Sequence, residues 1–321
     1  MIKIGIIDTI NKKGIDLLKA NKNNFSYEII KNLSKKNLIK ELPKFDGITL
    51  RRGAINSKVL KNCKKLKVIS RHGVGYDNVD IAYLKKKGIK LLVANDSTCI
   101  SPSEHIMFMI LSIFKGRNIF HNMVRKGSFH KAIHMKFNNN FELYGKTILI
   151  VGFGRIGRKL IKQCKGFGMK VLVYDPFIDK KIINSYGGKK ISIFNLGIQI
   201  ADIVSLCIPF NKKTKNLITY KELSIMKKSS ILINISRGGL INEHDLNKAL
   251  NKKIISFAGL DVFSQEPPNI KNPLLKNKKV FLSPHAATFT KEGLEKMSVE
   301  TVRNIIDFFN KKIDKRKIVK L

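Results

Sequence analysis

Short apolar runs alternate with amphipathic stretches along almost the whole chain. Residues 2–7, 27–30, 47–50, 66–70 and 89–93 are runs of strand length, bounded by polar or glycine-containing turns. Continuous apolar runs of this kind suit strands buried on both faces, as in parallel sheets. Between them, helices are expected over 12–20, 33–42, 57–62 and 80–87, with Pro43 stopping the second and Gly88 ending the last. The alternation predicts a small parallel α/β domain. From Ser101 the pattern changes to SPSEHIMFMILSIFKGR, a long helix with Ser101 as N-cap, Pro102 at the first helical position and Glu104 at N3. Its near-continuous apolar side, through Ile106, Ile113 and Phe114, predicts burial between domains or against a partner subunit. After a polar connection, strands are expected at 147–151, 170–174, 202–207, 230–235, 256–261 and 280–282. Helices over 220–226 and 243–251 separate the later ones, and a final helix over 291–309 carries Leu294, Met297, Val302, Ile305, Ile306 and Phe309 on one face.

One junction in this series has chemistry in it. The strand at 147–151 runs directly into Gly152-Phe-Gly154-Arg-Ile-Gly157, a helix follows, and the next strand ends at Asp175. Gly152, Gly154 and Gly157 have the spacing that lets a backbone turn tightly and approach a pyrophosphate, and Asp175 stands where a carboxylate can accept from ribose hydroxyls. That acid favours NAD over NADP. A glycine turn in a sheet that binds no nucleotide is the competing reading.

Composition adds one oddity. Lys and Arg number 62 against 23 Asp and Glu, a formal net charge of +39. A charge of that size suggests nucleic acid, an anionic membrane or acidic substrates. The lysines, however, are spread over predicted solvent faces in every segment, and only the last dozen residues form a dense basic patch. Lys, Ile and Asn are abundant throughout and Trp is absent, so biased composition accounts for the charge better than a nucleic-acid role. Cys63, Cys99, Cys164 and Cys207 show no metal or disulfide spacing. No segment has the length of a membrane span, and the N-terminal run is too short for a signal peptide, so a cytoplasmic protein without metal is expected.

Three polar side chains follow expected strand ends in the C-terminal half: Arg237 in NISRGG, Glu266 in GLDVFSQEPP and His285 in SPHAAT. Carboxyl ends of parallel strands are where ligands bind. Reduction of a 2-keto acid requires a cation for the carboxylate, which a guanidinium suits, and a proton donor for the carbonyl oxygen, which an imidazolium suits. A carboxylate behind the histidine stabilises its protonated form.

These segments, with RHGVGYDNVD (71–80) and YGKTILIVGFGRIGRKL (144–160), occur in the order found in NAD-dependent D-2-hydroxyacid dehydrogenases, and the chain resembles that family over about residues 45–310. The resemblance implies two doubly wound parallel-sheet α/β domains, a Rossmann cofactor domain (99–288) inserted in a flavodoxin-like substrate domain (1–98 and 289–321), and assembly as a homodimer through the cofactor domain and the long helix. It implies that Arg237 holds the substrate, that Glu266 supports His285 and that His285 is the acid/base. It also implies NAD contacts from Arg155, Ile156, Cys207, Pro209, Ile235 and Asp261, with Asp261 accepting from the carboxamide. Substrate contacts would come from Arg51, Arg52, Val74, Gly75 and Thr98. Thr98 stands where the family often has Asn, and Cys207 where it often has His. Arg51, Arg52 and the positive field suit a phosphate, so 3-phosphoglycerate is the leading substrate, with glyoxylate or hydroxypyruvate as the alternative. A dinucleotide-sensing binding module, as in corepressors of this fold, is the reading from another class.

Overall fold

The apolar runs assemble into two separate parallel sheets. The computed structural model describes residues 1–95, 97, 99–132 and 140–320. The chain divides into a unit of Met1–Cys99 with Thr288–Leu321 and a unit of Ile100–Ala287.

In the first unit the elements are β1 (Ile2–Ile7), α1 (Lys12–Ala20), β2 (Phe25–Ile30), α2 (Lys35–Glu41), β3 (Gly47–Leu50), α3 (Ser57–Leu60), β4 (Val68–Arg71), α4 (Ile81–Lys87) and β5 (Lys90–Val93). The sheet order is β2-β1-β3-β4-β5, all parallel, the flavodoxin-like winding. Local chemistry sets the helix ends. Asp80 caps α4 by accepting from the Tyr83 amide, and Gly88, at φ +68°, takes the left-handed turn that ends it.

The second unit opens with α5 (Ile100–Phe114) and α6 (Arg117–Arg125). It continues with β6 (Thr147–Val151), α7 (Arg155–Gly166), β7 (Lys170–Tyr174), α8 (Lys180–Ser185), β8 (Lys189–Lys190), α9 (Phe194–Ile200) and β9 (Ile203–Leu206). It ends with α10 (Tyr220–Ser224), β10 (Ile231–Asn234), α11 (Glu243–Asn251), β11 (Phe257–Leu260) and β12 (Val280–Leu282). The order β12-β11-β10-β9-β6-β7-β8, all parallel, is the dinucleotide-binding 3-2-1-4-5-6 winding with one strand added at the edge. The chain then returns to the first unit as α12 (Lys291–Phe309), which packs on α1 and the first sheet.

Each sheet is covered on both faces. In the first unit Ile4, Ile6, Leu18, Phe25, Val302 and Ile305 form the core on the α1–α12 side, while Ile7, Leu38, Phe45, Ile48, Ile69 and Leu84 form the other. In the second, Ile148 and Ile150 face α5 and α7, while Leu149 and Val151 face the α9–α11 side. Successive side chains of β6 therefore serve opposite cores, which is why its sequence is apolar at every position from Ile148 to Val151.

Two expectations are corrected. Helix α5 begins at Ile100, so Ser101 lies inside its first turn and does not cap it; the Ser103 hydroxyl donates to the Ile100 carbonyl instead. Its apolar side is buried in the second unit's own core, where Ile106, Met109, Ile110 and Phe114 pack with α7 and the sheet. Helices α6, α8 and α9 and the two-residue β8 were not expected from the sequence. Among the described residues no helix is long and apolar enough to cross a membrane.

One buried histidine ties the first unit together. His72, just past β4, places Nε2 2.9 Å from the Ser298 hydroxyl of α12, and that hydroxyl accepts from the Asn11 amide. Buried with that hydroxyl as its ring partner, the histidine is held neutral. Burial, with the charges of Arg51 and Arg71, pushes the His72 pKa down from 6.5 to about 3. Between those values the unfolded chain binds a proton that the folded chain excludes, so stability should fall as pH drops through this window. Urea midpoints at pH 7 and pH 4.5 check this: His72→Gln should lose less stability on acidification than wild type. Equal losses would contradict it.

Candidate active site

The glycine turn lies at the carboxyl end of β6, beside the end of β9, where the winding of the second sheet reverses. Gly152 has φ +102°, and a Cβ there would lie 2.6 Å from the Cys207 carbonyl oxygen. At Gly157 a Cβ would sit 2.4 Å from the Gly152 carbonyl, so the first turn of α7 can close on the strand only with glycine. Gly154 differs, because a Cβ there meets nothing within 4 Å. Its side-chain-free surface answers to no protein neighbour, and it faces open space at the N-terminus of a twelve-residue helix. A backbone left bare at the N-terminus of a helix fits a pyrophosphate.

Asp175 closes the cradle at the end of β7. Its Oδ2 accepts from the Phe153 amide at 2.8 Å and its Oδ1 from the Phe177 amide at 2.9 Å, which fixes the carboxylate against the glycine turn. Arg158, unforeseen in the sequence, donates to the Phe153 carbonyl and stacks on the Phe153 ring with its guanidinium 5.1 Å away. Arg155 and Ile156 form the first turn of α7. Cys207 presents backbone to the turn, and burial pushes its thiol up to about 12. Pro209 is exposed beyond it, and Ile235 is buried at the end of β10. Gly154→Ala should therefore fold normally but bind NADH at least about tenfold more weakly, whereas Gly157→Ala should lower the melting temperature. NADH fluorescence titration and thermal unfolding separate the two effects, and wild-type NADH affinity in Gly154→Ala would contradict the first.

The polar trio lies on loops at the carboxyl ends of β10, β11 and β12 of the same sheet. His285 Nδ1 is 2.7 Å from Glu266 Oε2, and Glu266 Oε1 accepts from the Phe263 amide at 3.1 Å. Burial works against the Glu266 charge. The hydrogen bond and charge of His285, the Phe263 amide and the charge of Arg237 nonetheless hold its carboxyl below the ordinary value. Arg237 is half-buried and donates to the Ser236 carbonyl. Its loop is folded back on Asn234, which accepts from the Ser236 amide and donates to the Arg237 carbonyl. Asp261 is fully buried, and its carboxylate accepts from Ser283 Oγ and the amides of Ala286 and Ala287. Burial would raise its pKa, but hydrogen bonds from His105, Ser283 and those amides lower it. Its observed task is thus to hold the His285 loop. A hollow beside the pair is lined by Phe263, Pro267, Pro268, Leu282 and Pro284.

The residues expected to contact substrate from the first unit gather at the carboxyl ends of β1, β3 and β4. Arg52 is not a free cation: its Nε donates to Asp8 Oδ2 at 2.6 Å, and this pairing, against burial, lowers the Asp8 pKa. Arg51 donates to the Thr9 carbonyl at 3.0 Å, and Arg71 donates to the carbonyls of Leu50, Arg51 and Gly75. Val74 is 48% exposed beside Gly75. Thr98 lies outside the described residues. Asp8 was missed, although a polar residue at the end of an apolar strand was a signal for it. His105 had none beyond being polar on an apolar helix.

Residues 107–287, more than half of the chain, match the D-isomer specific 2-hydroxyacid dehydrogenase family through its NAD-binding domain. The chain belongs to this family. NAD is the cofactor of the matched domain, and the glycine turn and Asp175 fit it. The chain is 34% identical over 294 residues to D-3-phosphoglycerate dehydrogenase of Methanocaldococcus jannaschii, covering 91% of this chain and 55% of that protein. It thus spans little more than half the length of that relative. With glyoxylate reductase of Thermococcus litoralis it shares 36% identity over 266 residues, 81% of this chain and 79% of the other. The crystal structure of NAD-dependent formate dehydrogenase from Staphylococcus aureus in complex with NAD has the same fold, with a TM-score of 0.86 at 24% identity, covering 100% of this chain and 99% of the other.

Proposed function

We propose that the chain is an NAD-dependent oxidoreductase interconverting a small D-2-hydroxy acid and its 2-keto acid. The observation that carries this is the 2.7 Å contact of His285 Nδ1 with Glu266 Oε2, on loops of the sheet that bears the glycine turn. Bound NAD supplies the hydride acceptor, or in reduced form the hydride. Arg237 pairs with the substrate carboxylate and orients the carbonyl. In reduction His285 gives the Nε2 proton to the carbonyl oxygen while Glu266 holds Nδ1 and balances the charge. In oxidation neutral His285 takes the hydroxyl proton at Nε2. Asp261 also accepts from the carboxamide in this reading. A binding module would have no use for all three side chains, which disfavours the corepressor-like reading and a nucleic-acid partner.

For the substrate the reading keeps 3-phosphoglycerate and its keto acid first. The guanidiniums of Arg51 and Arg52 stand just past β3 beside Asp8, and with the positive field of the chain they suit a phosphate. Val74 and Gly75 complete substrate recognition. One observation favours glyoxylate or hydroxypyruvate instead: Arg52 is already paired with Asp8. Phosphohydroxypyruvate and hydroxypyruvate differ only by the phosphate, so their kcat/KM ratio decides. The phosphate reading expects a preference of at least about tenfold that Arg51→Ala abolishes; no preference in wild type would overturn it. A homodimer formed on the exposed side of α5, where Phe108 stands 40% exposed, belongs to the same reading.

A further inference from the structure

His285 is held in an unusual backbone conformation. Its φ is +53°, in the left-handed region that side chains other than glycine rarely adopt, so the surrounding structure must impose it. The imposing contacts all converge on the end of β11. The Ser283 amide donates to the Leu260 carbonyl and the His285 amide to the Asp261 carbonyl at 2.7 Å. The Asp261 carboxylate collects the amides of Ala286 and Ala287 at 2.8 and 3.0 Å and the Ser283 hydroxyl. The loop therefore has the shape that a fully buried carboxylate gives it.

Among the described residues, His105 reaches that carboxylate from outside the loop. His105, on the second turn of α5, places Nε2 3.0 Å from Ser283 Oγ and 3.6 Å from Asp261 Oδ1. Ser283 has one hydroxyl proton and directs it at Asp261, so its oxygen must accept from His105 and His105 must carry a proton on Nε2. The chain of donors runs from His105 Nε2–H to Ser283 Oγ–H to Asp261 Oδ1. The histidine is itself anchored. Its ring tilts against Phe108 at 5.6 Å, Phe108 meets Phe281 of β12 edge-on at 5.5 Å, and α5 is locked into the core.

We propose that His105 is a positioning residue for His285, acting through Ser283 and the buried carboxylate of Asp261. It touches no reacting atom. It fixes the orientation of the Ser283 hydroxyl and hence the carboxylate that shapes the turn, and a misplacement of about 1 Å at a reacting group can cost on the order of a hundredfold in rate. Because the inference rests on the acid/base role of His285, the test needs one readout that does not depend on turnover.

The variants are His105→Leu, His105→Gln, Ser283→Ala and the His105→Leu/Ser283→Ala double. Glutamine keeps a donor at about the reach of Nε2; leucine removes it. Reduction of phosphohydroxypyruvate or glyoxylate is measured per NADH-binding site counted by fluorescence titration, which discounts misfolded protein. His105→Leu should lower kcat about ten- to a hundredfold per bound NADH, and His105→Gln should recover most of it. The double variant should be no slower than Ser283→Ala alone, because both changes break one chain. Hydrogen exchange of residues 283–287 should quicken in His105→Leu and not in His105→Gln, whatever the activity. Wild-type kcat in His105→Leu, glutamine no better than leucine, multiplying losses in the double, or unchanged exchange would each overturn the proposal. Absence of turnover in wild type with altered exchange in His105→Leu would instead remove the enzymatic reading and leave the loop-positioning intact.

Discussion

Replacing His285 with asparagine should lower kcat/KM on the best 2-keto acid by about a thousandfold, in the usual range for loss of a general acid. Asparagine can approximate the Nδ1 contact but has no dissociable proton to give to the carbonyl oxygen. The glycine turn, Asp175 and α7 are untouched, so NADH should bind as in wild type by fluorescence titration. The Glu266 carboxylate would keep its Phe263 amide partner at 3.1 Å, so the pocket should not collapse. Turnover within a few-fold of wild type would remove His285 from the chemistry.

The second large effect is expected at Arg237. Truncating one partner of a desolvated charge pair costs about 3 kcal/mol, or roughly a hundredfold or more in kcat/KM. Arg237→Ala should show that loss as a raised KM together with a lowered kcat, because the guanidinium both binds the carboxylate and aims the carbonyl at His285. Arg237→Lys should recover little, since an ammonium cannot pair with a carboxylate in two parallel bonds. The Arg237 backbone stays anchored on Asn234 in either variant, so unfolding midpoints should be unchanged. Full rescue by lysine in steady-state kinetics would contradict a bidentate role.

Much of this is legible in the sequence because buried parallel strands read as short continuous apolar runs. Runs such as residues 148–151 are apolar at every position since both faces are covered, and the ligand-facing loops follow directly after them. Arg237, Glu266 and His285 could be picked out because each stands just past such a run. Elements with little burial were not legible: α8 buries only Ile183, and β8 is two lysines that pair with β7 through backbone alone. The start of α5 was misread because Ser101 and Pro102 look like a cap and first turn, while the helix already runs from Ile100. Long-range pairings left no local trace. Asp8 with Arg52 and His105 with Ser283 are separated by 44 and 178 residues, and only the folded sheets bring them together.

The most direct test of the account follows the hydrogen itself. NADH carrying deuterium at C4 of the nicotinamide is incubated with the protein and phosphohydroxypyruvate, hydroxypyruvate or glyoxylate, and the product is examined by mass spectrometry and NMR. The account predicts a 2-hydroxy acid with deuterium at C2, in the D configuration where C2 is stereogenic, formed in step with loss of NADH absorbance and abolished by His285→Asn. NADH bound stoichiometrically but never consumed with any of the three keto acids, or product with no deuterium at C2, would contradict it.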